Sequence, residues 1–176
     1  MHPSRWSAAN LNHSFLAAIW VIAAVRREEL SRDAMPIDQR WNTLTAADWE
    51  AFACAWLAEI RGEADDDSDM GQRVVMMNFT STAQHQWLFI TAAIGHAKTD
   101  DELGHIAAGP IEHILGKHGD DYIDRVEEMS ASNPRFKKMM IGVWKHMMND
   151  NVWKRVQAIQ TSANAESEEP ERDSSC

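Results

Sequence analysis

The clearest pattern in the chain is a stripe of large apolar residues at the spacing of one helical face. Its members fall at i, i+3, i+4, i+7, i+8 and i+11, and they are Trp49, Phe52, Ala53, Trp56, Leu57 and Ile60. Thr45 and Asp48 precede the stripe at the spacing of a capping box, and Gly62 follows it. The pattern predicts a helix that begins after Thr45 and ends near Gly62.

Shorter patterns predict further helices along the rest of the chain. Residues 63–71 are acidic and typical of an exposed loop, and Val74–Phe79 favours a helical turn over a strand because no partner strand is found. Thr99 and Glu102 have the spacing of a second capping box. One helix is predicted at 82–97, and another begins at 100 and is interrupted by Gly109 and Pro110. A short helix then runs from Pro110 to His118, where Gly119 ends it, and a further helix spans 121–131. A helix after Asn133 buries Phe136, Met139, Met140, Val143, Trp144 and Met147, and the last helix carries Val152, Trp153, Val156 and Ile159.

These patterns predict an all-α fold, a compact irregular array of about seven helices. Successive helix pairs also occur in α-solenoids, but no repeat of fixed period is found, so a solenoid is the remoter alternative.

The expected domain is 35–161, between two segments of different character. Residues 1–34 are an N-terminal extension or helix of uncertain status, and either Met1 or Met35 can be the start. Ser14–Val25 is apolar but too short to cross a bilayer, so no membrane span is predicted. From Ser162 the chain is polar and acidic, and 162–176 is predicted to be a disordered tail.

Composition narrows the possible partners. The formal net charge of −10 disfavours nucleic-acid binding and suits a partner with a basic face. Eight Trp and ten Met suit either a core or a protein-binding surface. The two cysteines, Cys54 and Cys176, form no disulfide framework and no zinc site, which favours a reducing cytoplasm.

Positive charge collects near the C-terminus. Six basic residues lie on the last two predicted helices, namely Arg135, Lys137, Lys138, Lys145, Lys154 and Arg155. A solvated face explains them, and an alternative is that the acidic tail folds back over them. A nucleic-acid-associated role for these helices is a third and weaker interpretation, because the whole chain is acidic.

Candidate chemistry lies between Gly104 and Gly119. The candidate binding residues are His105, Gly109, Pro110, Glu112, His113 and His118. The two terminal glycines of Gly104-x4-Gly109 have phosphate-loop spacing, but Pro110 and Ile111 stand where Lys and Ser or Thr are needed. His113 and His118 are five residues apart, which is not a helical metal pair, whereas Asp101 and His105 can share a face. No catalytic set, metal site or cofactor is predicted, and capping or packing explains these residues without a ligand.

The same segment carries a resemblance. Residues 103–119 read LGHIAAGPIEHILGKHG, followed by an acidic helix, a Pro134-x-Phe136 step and Val143-Trp144. This stretch of Gln86–Trp144 resembles an uncharacterised bacterial family with an LGxIAAGPLExLLxxHG core, from which Ile111 departs in place of Leu. The resemblance implies a helical bacterial domain and no established activity.

Two functions remain open. The first is a non-enzymatic protein-binding module in the cytoplasm, in a narrower form an immunity or inhibitor protein that occupies the surface of its partner. The second is an enzyme or small-molecule sensor that uses Gly104–Gly119. The identity of the partner and the oligomeric state stay open.

Overall fold

The computed structural model describes residues 38–168, which form an all-α array without strands. This confirms the predicted fold class, and the number of helices is close to that expected. The elements are a 3₁₀ helix at Gln39–Thr43, α1 at Ala46–Ile60, α2 at Met70–Thr80, α3 at Ala83–His96, α4 at Asp100–Ile106, a π turn at Ala107–Ile111, α5 at Glu112–Ser132, α6 at Pro134–Met140 and α7 at Asp150–Glu168.

Both predicted capping boxes are present. At α1, the Thr45 amide donates to Asp48 at 2.8 Å while the Thr45 hydroxyl accepts from the Asp48 amide at 3.3 Å. Thr99 and Glu102 make the same reciprocal pair at α4. Each box satisfies amides that the first helical turn leaves without partners, so these two helix starts are determined locally.

The core is richest in aromatic rings where α1 packs on α3. Five buried rings meet there, and we call them the aromatic layer: Trp41, Trp49, Phe52, Trp56 and Phe89. The indole N–H of Trp41 donates to Thr80 Oγ1 at 2.9 Å, so the 3₁₀ helix is joined to the end of α2. The Trp49–Ile60 stripe thus packs as its periodicity predicts.

The segment around Val74–Phe79 is more helical than the predicted single turn, since α2 spans eleven residues. The Glu59 carboxylate at the end of α1 accepts from the amides of Met70 and Gly71 at 2.7 and 2.8 Å. This capping contact comes from another helix, so the local pattern does not contain it.

The predicted break at Gly109–Pro110 is wrong. The chain continues from α4 through a five-residue π turn directly into α5. Proline lacks an amide hydrogen and its ring crowds the preceding turn, and a wider turn accommodates both without ending the helix.

The predicted end of a helix at Gly119 is confirmed in part: two helical stretches of α5 meet at a kink at His118, whose φ of −130° and ψ of 23° are non-helical, and the second stretch runs on to Ser132. A Cβ at Gly119 would lie 2.9 Å from both methyl groups of Val152. Close packing of α5 on α7 therefore accounts for this glycine.

The predicted stripe from Phe136 to Met147 is correct only in its first half. Helix α6 ends at Met140, and 141–149 form a non-helical segment that we call the Trp144 loop. Val143 and Met148 are buried, whereas Trp144 and Met147 are each 64% exposed. At the turn out of α6, a Cβ on Gly142 would lie 3.3 Å from Ala107 Cβ, so the chain passes close to the π turn.

Helix α7 extends to Glu168, well past Ser162, where the tail was predicted to begin. Glu166 forms an ion pair with Lys137 of α6, which ties the last turns of α7 to the array. The rest of the predicted tail, 169–176, and the N-terminal segment 1–34 lie outside the described residues. Within 38–168, no helix has the length and apolar character needed to cross a bilayer.

Candidate functional site

The candidate residues of Gly104–Gly119 do not gather in one place. His105 stays with its own helix, where its Nδ1 lies 2.9 Å from the Asp101 carbonyl oxygen and 3.9 Å from the Asp101 carboxylate. The predicted shared face of Asp101 and His105 is therefore present. Gly109 and Pro110 form part of the π turn, and Pro110 is buried there. Contacts within the backbone of α4 and the π turn account for these three residues. The candidates that remain are Glu112, His113 and His118 on α5.

Glu112 is the most unusual of the remaining residues. Its side chain is buried, and its Oε1 accepts a hydrogen bond from the backbone N–H of Trp144 at 2.8 Å. Burial raises the pKa of Glu112 to about 8, and the Trp144 amide opposes part of that rise. Because the helix continues through the π turn, Glu112 does not sit at a free helix N-terminus, so the helix dipole does not account for a carboxylate here.

His113 faces a different neighbour. Its ring packs edge-on against Phe79 with the centroids 4.8 Å apart. Burial lowers the pKa of His113 to about 3, with a further contribution from Lys117, so the imidazole is neutral at physiological pH. Its Nε2 has no hydrogen-bond partner within 38–168.

A small basic group surrounds His113. The Lys117 ammonium lies 5.1 Å from the Phe79 ring centroid. Burial lowers the pKa of His118, Lys117 lowers it further, and Asp121 opposes both. His118 and His146 also lower the pKa of His113, so α5 and the Trp144 loop bring these basic side chains together. No set of three or more His, Cys, Asp or Glu side chains in the described part of the chain is placed to hold a metal ion.

The Trp144 loop presents two large apolar side chains from a well-held backbone. The Gln160 amide of α7 donates to the carbonyls of Met140 and Val143 at 2.9 and 2.7 Å. Asn149 accepts from the Val152 amide at 2.9 Å and donates to the Asp120 carboxylate at 3.0 Å. Both ends of the loop are therefore anchored by side chains.

The middle of the loop is held by α5. The Trp144 amide bonds to Glu112, and a Cβ on Gly116 would lie 2.8 Å from the His146 carbonyl oxygen. Met147 has a φ of 53°, the one positive φ of a non-glycine residue in 38–168. The backbone is thus held close to α5 while the Trp144 and Met147 side chains face solvent.

Helical periodicity places Trp144 and Met147 in a buried stripe, so the sequence does not predict this surface. The signals that point the other way are Gly142, which interrupts the stripe, and Asn149, whose side chain marks the start of a new helix. Neither signal shows which of the apolar residues between them is exposed.

Charge around the loop is mixed but acidic where it meets α5 and α7. Asp120 and Asp121 are exposed, and Asp150 is 97% exposed while paired with Lys145. The basic side chains that were considered for nucleic acid are largely engaged within the fold. Lys137 pairs with Glu166, Lys138 with Asp100, Lys145 with Asp150, and Arg155 with Asp124 and Glu127.

The chain was compared with protein families, curated proteins and solved structures. No curated protein and no solved structure matches it. One family model, that of a family of unknown function named DUF6869, matches residues 59–164. The match covers α2 to α6, most of α7 and the segment 103–119 on which the resemblance was noted. The chain therefore belongs to DUF6869, a family of unknown function.

Proposed function

We propose that this chain is a non-enzymatic protein-binding module and that the Trp144 loop is its docking surface. The observation that carries the proposal is a tryptophan 64% exposed on a loop whose backbone is anchored from α5 and α7. Buried tryptophan is among the residues that contribute most to protein–protein binding energy. A backbone that is already ordered loses less entropy on association, which favours affinity.

The partner that fits this surface is a protein with an apolar cleft bordered by basic side chains. Trp144 and Met147 supply the apolar centre, and Met is common at such surfaces because its side chain adapts to the partner. Asp120, which accepts from Asn149 at the end of the loop, and the exposed Asp121 next to it supply negative charge on one side. Complementary charge at the border speeds association and orients the partner, so the association rate should fall as salt rises.

The test uses a photo-crosslinking amino acid in place of Met147, which leaves Trp144 intact, and, as a matched control, in place of Leu88. Leu88 is also an exposed large apolar residue, at 37%, but it lies on α3. The expected result is an adduct specific to position 147 that excess wild-type protein competes away. The partner identified in this way is then purified and bound to the full chain in vitro.

Trp144→Ala should weaken the purified complex by at least about tenfold, whereas Leu88→Ala should leave its Kd unchanged. Circular dichroism checks that both variants fold. Adducts that are the same from both positions, or a complex that is indifferent to Trp144→Ala, would contradict the proposal.

The narrower form of the proposal is an immunity or inhibitor protein of the bacterial cytoplasm. A small acidic domain that covers a basic face of an effector would block it by occupation alone. The expected observation is a toxin or effector gene beside this one, together with protection of cells that Trp144→Ala abolishes and Leu88→Ala preserves. A partner without harmful activity would contradict the immunity or inhibitor proposal but not the broader proposal of a protein-binding module.

A second candidate is a small-molecule sensor or enzyme that uses the basic group on α5. The unpartnered Nε2 of His113, beside Lys117 and His118, is the observation that favours it. Addition of inorganic phosphate or acetate should then shift the histidine resonances, and Lys117→Ala should abolish the shift. Resonances that do not respond to either anion at millimolar concentration would argue against this candidate.

A further inference from the structure

Glu112 connects the buried core to the docking surface through a single hydrogen bond. We propose that Glu112 is a positioning residue for Trp144: its neutral carboxyl holds the Trp144 loop on α5, and its ionisation releases the loop. The inference deepens the proposed function, on which its biological meaning rests, because it makes the docking surface responsive to pH.

The geometry gives Glu112 a direct hold on the loop. Its side chain is 4% exposed, and its Oε1 is 2.8 Å from the amide nitrogen of the residue that carries the exposed indole. One turn further along α5, the missing side chain of Gly116 lets the His146 carbonyl approach. These two contacts bring the middle of the loop onto the first turns of α5.

The surroundings of Glu112 offer no countercharge. The π turn that precedes it contains no titratable residue. On α4, Glu102 is paired with Arg61, and His105 lies against Asp101. No ion pair to Glu112 occurs within 38–168.

The helices and loop around it direct their charges elsewhere. On α5, His113 and Lys117 pack on Phe79, and Arg155 of α7 pairs with Asp124 and Glu127. In the loop, Lys145 pairs with Asp150, and His146 acts on His113. On α2, Arg73 lies over the Phe52 ring. On α3, His85 stacks on Trp49, and His96 is exposed on the last turn. On α6, Arg135 donates to the Ala97 carbonyl, Lys137 pairs with Glu166 and Lys138 pairs with Asp100.

Ionisation of Glu112 therefore places a charge where the backbone N–H of Trp144 is the hydrogen-bond donor that stabilises it. A buried carboxylate in this position gains most by reaching water. The helical walls are held by their own hydrogen bonds, whereas the loop is non-helical in this stretch. The loop is thus the side of the site that opens. Burial raises the pKa of Glu112 from an ordinary 4.5 to about 8, so the free energy needed to open the loop falls as pH rises between these two values.

The test is hydrogen exchange at the Trp144 amide in the full chain between pH 5 and pH 9, corrected for the intrinsic exchange rate. We expect the protection factor to fall by up to about tenfold for each pH unit below 8 and to level off above 8, because there the carboxyl is ionised in the closed loop as well. Glu112→Gln keeps an oxygen acceptor without ionising, so its protection should stay constant with pH. Glu112→Ala removes the acceptor, and its protection should be low throughout.

The amide of Trp56 on α1 is the internal control, because it must stay protected if the change is local. A wild-type profile that is flat, or that Glu112→Gln reproduces, would overturn the inference. These readouts need no partner. If exchange at the Trp144 amide depends on pH as expected but the partner binds Trp144→Ala as tightly as wild type, the docking proposal alone fails. If the exchange profile is flat but partner binding requires Trp144, this inference alone fails.

Discussion

The aromatic layer and the Trp144 loop use the same residue type in opposite ways. In the layer, Trp56 is 5% exposed and its ring centroid lies 5.4 Å from that of Phe89. In the loop, Trp144 is 64% exposed although its backbone is held from two helices. The first is ordered by what its side chain packs against, and the second by what its backbone bonds to. A tryptophan in an apolar pattern is therefore not a reliable sign of a buried side chain unless the backbone conformation at that position is known.

The largest expected effect comes from truncating the two tryptophans. Trp56→Ala should lower the free energy of unfolding by about 3–5 kcal/mol, because it leaves a cavity in the aromatic layer. Trp144→Ala should change it by less than about 0.5 kcal/mol, since the side chain is mostly in water already. Urea denaturation of both variants measures the difference. Equal losses would mean that the two regions are not distinct.

The next effect concerns the pH dependence of stability. Burial raises the pKa of Glu112 from an ordinary 4.5 to about 8, so the folded state keeps a proton that the unfolded chain releases. The stability from this group is fully present below pH 4.5 and is lost as pH rises through 8. Glu112→Gln should therefore gain on wild type by about 2–4 kcal/mol between pH 5 and pH 9. Parallel stability curves would contradict this.

His113, the next residue in the chain, should act on the acid side. Burial lowers its pKa to about 3, so its contribution is present above its ordinary pKa of 6.5 and is lost as pH falls toward 3. The two neighbours thus limit the stable range from opposite ends.

A smaller effect tests the packing of α5 on α7 beside the loop. Gly119→Ala should lower the free energy of unfolding by about 1–3 kcal/mol, because the new Cβ would lie 2.9 Å from both Val152 methyls. Gly109→Ala is the matched control, since no neighbour outside its own helix lies within 4 Å of its Cβ position. It should instead stabilise by up to about 1 kcal/mol. Equal responses to the two changes would refute the packing role of Gly119.

The smallest effect compares the helix caps of the two regions. Thr45→Ala and Asn149→Ala should each lower the free energy of unfolding by about 1 kcal/mol, as loss of an N-cap side chain does. Only Asn149→Ala should also speed hydrogen exchange in 141–149, because Asn149 joins that loop to Asp120. The same exchange rates in both variants would show that the loop does not depend on this anchor.

Much of the fold follows from local pattern. Thr45 and Thr99 fix two helix starts through side chains only three residues away, and α1 packs on the face its periodicity predicts. The start of α7 is likewise readable at Asn149. In each case the interaction that decides the structure lies within one turn of the residue that signals it.

The errors occur where a distant contact decides. Gly109 and Pro110 have the local character of a helix break, yet the chain continues as a π turn covered by other helices. Gly119 follows the kink at His118 as its sequence suggests, but the local pattern does not show that Val152 approaches it. For the candidate site, the sequence named Glu112, His113 and His118 without the loop that Glu112 holds, because the Glu112–Trp144 bond spans 32 positions.

Met147 offers a way to follow the loop through related chains. A side chain at φ 53° is held in the left-handed region, which disfavours residues other than Gly, Asn and Asp by roughly 1–2 kcal/mol. A methionine at this position lowers the folding stability but keeps an apolar thioether side chain on the surface. Relatives that no longer use the loop should drift toward glycine or asparagine at this position, and those that still use it should resist the drift.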